Sequence, residues 1–200
     1  MNLPDSIKKL VEKLSELPSI GPRQATRLVF YLISRGQDEI RSLANGIKLL
    51  EEVKLCSHCF FIHQNAGNVC SICDDKNRNQ KLIAIIEKET DLISIENTRK
   101  FNGRYFVLGL IPKTGILEGW QKLRLQNLKS FIQKNLEEQA DEIILAFNPT
   151  SNGDFNASLL IKELSPITKK ITRLGRGLPT GGEIEFADDE TLGEALVKRS

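Results

Sequence analysis

Apolar residues Leu3, Ile7, Leu10, Val11, Leu14 and Leu17 recur at three- and four-residue intervals with Lys and Glu between them, which predicts an amphipathic helix. Pro18 stops it. A second helix starts after Gly21 with Pro22 at its first position, where the missing N–H costs nothing, and runs through Ala25, Leu28 and Leu32 to Gly36. Ile40, Leu43, Ala44, Ile47 and Leu50 predict a third, so residues 1–54 read as a small helical domain. Residues 55–80 follow neither period and contain all four cysteines. Beyond Lys81 the pattern becomes short, wholly apolar runs over residues 82–86, 105–111 and 143–147, with a helical segment over 123–136 between the last two. Runs that are apolar on both faces and alternate with helices predict a largely parallel sheet covered on both sides. Residues 81–200 are therefore expected to form an α/β domain. No internal repeat or low-complexity linker interrupts the chain.

Composition narrows the class. Of 200 residues, 40% are apolar and 27% charged, a globular balance rather than a disordered one. The longest apolar run, residues 105–111, falls far short of the ~20 that a membrane span needs. The opening Met-Asn-Leu-Pro-Asp lacks the basic and apolar regions of a secretory signal, so a cytoplasmic location is expected. Lys and Arg total 28 against 26 Asp and Glu, which excludes a blanket polycation. The sign is nevertheless segregated: residues 17–37 carry Arg23, Arg27 and Arg35 with no acid, and residues 183–194 carry six acids and no base. A polyanion would meet a patch of this chain, not its whole surface.

Three stretches carry candidate chemistry. Cys56-Ser-His-Cys59 and Cys70-Ser-Ile-Cys73 are two C-x2-C turns ten residues apart, able to aim four thiolates at one point. A tetrahedral sulfur set suits zinc, and four protein ligands leave no open position, so the metal is structural. Disulfides need an oxidising compartment, and a redox C-x-x-C does not come as a pair. His58 and His63 are read as neighbours of the site or solvent residues, not ligands. At the second helix, Ile20 and Gly21 end a tight turn that leaves free amides at a helix start, and Arg23 and Arg27 share a face beside it. That suits a phosphodiester backbone held without base reading; the bland alternative is an ordinary turn with two solvated arginines. Third, Glu87 ends the first predicted strand, and Asn148-Pro149-Thr150 with Asp154 follows a later one. Gly177-Leu178-Pro179-Thr180-Gly181-Gly182 introduces alternating apolar and acidic residues to Asp188, which predicts an edge strand with acids on its solvent face. No G-x-x-x-x-G-K-[ST] phosphate loop is present.

These stretches resemble known families. Leu17-Pro18-Ser19-Ile20-Gly21 is similar to the hairpin of a helix-hairpin-helix motif, usually Leu-Pro-Gly-Ile-Gly, with Ser19 at the first glycine. The α/β half resembles a Toprim domain, in which a glutamate after the first strand and an Asp-x-Asp after a later one hold Mg²⁺. Glu87 falls on the glutamate, while Asn148 and Thr150 fall on the two aspartates. An amide and a hydroxyl in place of two carboxylates remove most of the charge that Mg²⁺ requires, so Glu87 and Asp154 could hold a weak ion at best. The surface would then serve partner docking, or Glu87 would be a solvated strand-end residue.

The order of parts, with Phe101-Asn102-Gly103-Arg104 and Gly177-Leu178-Pro179-Thr180-Gly181-Gly182-Glu183, resembles the RecR family of bacterial recombination mediators over essentially the whole chain. Asn152 and Asn156 depart from that family's usual Glu and Thr. The resemblance implies an α+β multidomain chain: residues 1–54 a helix-hairpin-helix DNA-binding domain, 55–80 a four-cysteine zinc finger, 81–176 a Toprim domain, and 177–200 an oligomerisation segment with Walker-B-like acids and a strand or helix. It further implies a tetrameric ring on single-stranded, duplex or gapped DNA, near the nucleoid. That ring would work with RecO and RecF to load RecA onto SSB-coated gaps. The competing classes are a Mg²⁺-dependent Toprim nuclease or primase-like enzyme, and a zinc adaptor without DNA affinity.

Overall fold

The computed structural model describes residues 3–199, which divide after Val53 into two compact units. The first unit is all helical: α1 (Asp5–Ser15), α2 (Pro22–Arg35) and α3 (Gln37–Leu49), followed by a 3₁₀ turn at Leu50–Glu52. The three helices predicted from periodicity are present. Packing is thin, however: Ala25 and Val29 on α2 are the buried residues of this unit among those described. Phe30, Ile33, Leu43, Ile47 and Leu50 all stay exposed, so much of the apolar periodicity has no partner within this unit among the described residues.

The second unit begins with a short antiparallel hairpin, β1 (Lys54–Leu55) and β2 (Ile62–His63), and a single helical turn α4 (Ser71–Asp74). A four-stranded sheet follows, made of β3 (Asn79–Ile86), β4 (Gly103–Val107), β5 (Glu142–Ala146) and β6 (Ile171–Arg173). Its order is β4-β3-β5-β6 and every pairing is parallel, as the two-faced apolar runs require. The crossovers are α5 (Glu89–Asn97), α6 (Gly119–Asn135) and α7 (Ser151–Leu164). Ile83, Ile85, Phe106, Ile143 and Leu145 pack with Leu125, Leu128 and Ile132 of α6 and Leu160 and Leu164 of α7. The alternate residues Ala84, Ile86, Tyr105 and Val107 pack on Leu92 of α5 and on Phe61 and Ile72 of the cysteine region.

Two predicted elements differ. The run 105–111 is strand only to Val107, because Gly109 turns at φ 95° and its Cα lies against the Trp120 ring, where no Cβ fits. The edge strand predicted over 183–188 is absent. Ile184–Phe186 forms one 3₁₀ turn, and α8 (Asp189–Val197) begins after it, with the Asp188 carboxylate accepting the Thr191 N–H at 2.8 Å. Alternation alone cannot make a strand without a neighbour to pair with, and Ile184 and Phe186 remain exposed. Among the described residues, no helix is long and apolar enough to cross a membrane.

Candidate nucleic-acid interface and metal centre

The turn between α1 and α2 closes with the Ile20 N–H on the Leu17 carbonyl at 3.2 Å. Ser19 sits at φ 64°, the left-handed region in which a serine costs roughly 1–2 kcal/mol and glycine nothing. The hairpin thus keeps a glycine's conformation without the glycine. Gly21 opens α2 in extended conformation, and no side chain caps the helix. Its first-turn amides are left to an external acceptor, beside the positive end of the helix dipole. Ile20 is half-buried, whereas Gly21, Arg23 and Arg27 are exposed. Arg23, Arg27 and Tyr31, four residues apart, form one stripe along a surface cleft of about 610 Å³. Tyr31 is absent from the sequence-based candidates, although its spacing from Arg27 places it on the same face.

The four cysteine sulfurs lie within 4.8 Å of one another. Cys56, Cys59 and Cys70 are fully buried, and Cys59 Sγ is 3.5 Å from Cys70 Sγ. Two backbone amides point at sulfur: Cys70 N–H donates to Cys56 Sγ at 3.3 Å, and Phe61 N–H to Cys59 Sγ at 3.5 Å. Amide donors to sulfur favour thiolate over thiol, so the donor set fits a soft divalent ion. Neither histidine joins the cluster. His58 Nδ1 accepts from Arg104 Nη2 at 3.2 Å, since a guanidinium can only donate, and His63 Nδ1 accepts the Asn65 N–H at 3.1 Å. The cysteine loop is tied to the sheet where Val107 N–H donates to the Cys59 carbonyl at 2.8 Å.

At the C-terminal ends of the strands, Ile86 pairs in register with Ala146, which sets Glu87 and Asn148 on neighbouring strand ends. The reading of Glu87 as a solvated residue does not hold. It is 7% exposed, and its Oε1 accepts the Ile111 N–H at 3.4 Å, because residues 108–111 fold over it. Burial raises its pKa, with Asp91 adding to the effect and the Ile111 N–H opposing it. Thr150 caps α7, its Oγ1 accepting the Gly153 N–H at 3.1 Å. Asp154 turns instead to two guanidinia, Arg173 at 2.5 Å and Arg176, and Arg176 also pairs with Glu190 of α8 at 2.9 Å. The hydrogen bond from Arg173 first, then that from Arg176, holds the Asp154 carboxyl below its usual range. Of the three predicted positions, one is buried under a loop, one is a strand-end amide and one is neutralised by arginine. The acidic charge of a divalent-ion cradle is dispersed.

A raised carboxyl pKa means the charged form is the strained one, so its stabilising contribution is present at low pH and lost as pH rises through the folded value. Glu87→Gln is accordingly expected to raise thermal stability at pH 8 and to flatten the decline that sets in as pH rises above the ordinary carboxylate range. Unfolding scans from that range up to pH 8 check it, and a Gln variant less stable at pH 8 contradicts the burial account.

A parallel sheet flanked by helices, preceded by a four-thiol centre and a helical hairpin, defines a multidomain α+β protein of Toprim type whose acidic metal site is incomplete. The comparisons agree and go further. Residues 7–49 match the family described as RecR, helix-hairpin-helix; residues 81–175 match the Toprim domain; residues 177–200 match RecR, C-terminal. The chain is 41% identical over 199 residues to the recombination protein RecR of Roseiflexus castenholzii, covering 98% of this chain and 94% of that one. The RecR proteins of Herpetosiphon aurantiacus, at 37% with the same coverage, and Chloroflexus aurantiacus, at 38% over 96% of this chain and 93% of its own, are similar. The chain belongs to the RecR family of recombination proteins.

Proposed function

We propose that this protein is a DNA-binding recombination mediator in repair, working in the cytoplasm as a homo-oligomeric ring that encloses or clamps DNA. With RecO and RecF it helps RecA load onto gapped, SSB-coated strands. The stripe Arg23–Arg27–Tyr31 beside an uncapped helix start carries the reading. Amides and guanidinia hold phosphates of any sequence, and Tyr31, 58% exposed, offers a stacking face to an unpaired base. A net charge of +2 allows each subunit few phosphate contacts, so linked copies are needed for useful affinity. The helical unit supports association as well, since two buried side chains among its described residues do not make a core and its exposed leucines and isoleucines call for a second copy. The cysteines hold one structural Zn²⁺ per chain. Asn148 and Asp154, beside the buried Glu87, lie on a surface that docks partners rather than on a catalytic one.

The test is fluorescence anisotropy on single-stranded and duplex DNA from low to moderate salt. Arg23→Ala with Arg27→Ala should weaken binding to every sequence and flatten the slope of log K against log salt by up to ~1.8 per contacting subunit on duplex. An unchanged slope in a folded variant refutes the assignment. Solution mass with and without DNA tests the ring, and a monomer throughout argues against it. Mg²⁺-dependent strand cleavage or synthesis lost in Glu87→Gln would establish the enzyme instead.

A further inference from the structure

The helices α6 and α7 cover one face of the sheet, and with residues 111–117 they line a cavity of about 590 Å³. Lys122, Leu125, Gln126 and Lys129 on α6 are spaced three and four apart, as are Asn156, Leu159, Leu160 and Glu163 on α7, so one stripe of each helix forms a wall. That volume lies within the range of ligand-binding clefts. It shares no residue with the α2 stripe or the cysteine centre, and it meets the strand-end site only at Ile111.

Three properties define what fits. The walls are aliphatic, with Ile111, Leu117 and Leu125 inside and Ile116 exposed at the rim. The lining carries three lysines against one glutamate, and that glutamate is already paired: Lys129 Nζ meets Glu163 at 2.7 Å, while Lys122 and Lys162 form no ion pair among the described residues. Finally, Asn156 is 3% exposed, and its buried Oδ1 has no hydrogen-bond partner. A buried amide oxygen left unmatched costs free energy. A half-turn about χ2 exchanges the amide oxygen and nitrogen, and the oxygen so turned toward the cavity accepts a peptide N–H. Among the described residues that line the cavity there is no aromatic ring and no arginine, so its walls favour an aliphatic side chain over a nucleobase.

We propose that this cavity docks an acidic, aliphatic peptide segment of a partner protein. Lys122 and Lys162 take its carboxylates, Leu125 and Leu159 take its aliphatic side chain, and Asn156 pairs with its backbone. The probe is a fluorescein-labelled peptide, Glu-Leu-Asp-Leu-Glu with blocked ends, titrated by anisotropy with the full chain, metal-loaded. The acidic peptide should bind and weaken with salt. Its Lys-Leu-Lys-Leu-Lys and Glu-Ser-Asp-Ser-Glu counterparts should not bind. Lys122→Glu with Lys162→Glu should cut affinity by about tenfold or more. Asn156→Leu should also lose affinity while keeping or raising thermal stability, because it removes an unmatched buried oxygen; a purely structural asparagine would lose stability instead. Failure of the acidic peptide to bind overturns the proposal, as does equal binding of the acidic and basic peptides or unchanged affinity in the lysine variant. Displacement of the peptide by ATP, or peptide binding that tracks self-association measured by mass, assigns the cavity to a nucleotide or to a second copy and also overturns it.

Discussion

Cys59→Ser is expected to abolish stoichiometric metal binding and to destabilise the second unit by about 3 kcal/mol or more, roughly 6–12 °C in Tm for a unit of this size. Each thiolate of a four-sulfur site supplies both ligand and charge, and a hydroxyl is too hard and too weakly acidic to replace it. Metal binding at such centres is largely folding free energy, on the order of 10 kcal/mol in finger peptides. The loss is not confined to the loop. Phe61 and Ile72 pack on the sheet beside Tyr105 and Val107, and the Cys59 carbonyl accepts the Val107 N–H. Elemental analysis together with thermal unfolding, with and without a chelator, checks this. A variant that retains one metal per chain and its full Tm would remove the cysteines from the metal site. Chelation of the unmodified protein should reproduce the variant, because in the proposed site it is the ion that would join the two C-x2-C turns.

Gly153→Ala is expected to destabilise by about 1–3 kcal/mol, the opposite of what the substitution does in an open helix. A Cβ at Gly153 meets the carbonyl oxygen of Asn148 and sits 3.2 Å from its carbon, and backbone cannot swing aside as a flexible side chain can. The helix start must therefore shift, taking with it the Thr150 cap and Asp154 with its two arginines. Gly46 in α3 provides the internal control, since nothing lies within 4 Å of its Cβ position. Gly46→Ala should stabilise by ~0.5–1 kcal/mol through reduced backbone entropy. Denaturant titrations of the two variants should move in opposite directions, and movement in the same direction rejects the close approach at Asn148.

Particular residues show where sequence reading succeeds. Residues 82–86 and 143–147 are apolar at every position, and runs this short that alternate with helical segments fit strands covered on both faces, so the parallel sheet is legible in the sequence itself. The cysteine spacing likewise leaves few geometries open, and the four sulfurs converge. The failures share a cause: each depends on a neighbour distant in sequence. Residues 183–188 alternate as a strand would, but period two says nothing about whether a partner strand exists. Glu87 ends an apolar run and looks solvated, until residues 108–111 close over it. Asp154 reads as one of two remaining acids until β6 and the segment after it bring Arg173 and Arg176 to it. Tyr31 is a different case, because its spacing from Arg27 is there to be read.

The bond from Val107 to the Cys59 carbonyl has a wider meaning, because β4 is the outermost strand on its side of the sheet. An outermost strand with free amides and apolar flanks is a template on which further chains can stack. In this molecule the thiol loop reaches that margin at its end, where Cys59 takes up the Val107 amide. Oxidation or metal starvation would therefore do more than loosen a small module: it would uncover a sticky seam, and the damaged protein would leave solution as aggregate rather than persist as a soluble, inactive monomer.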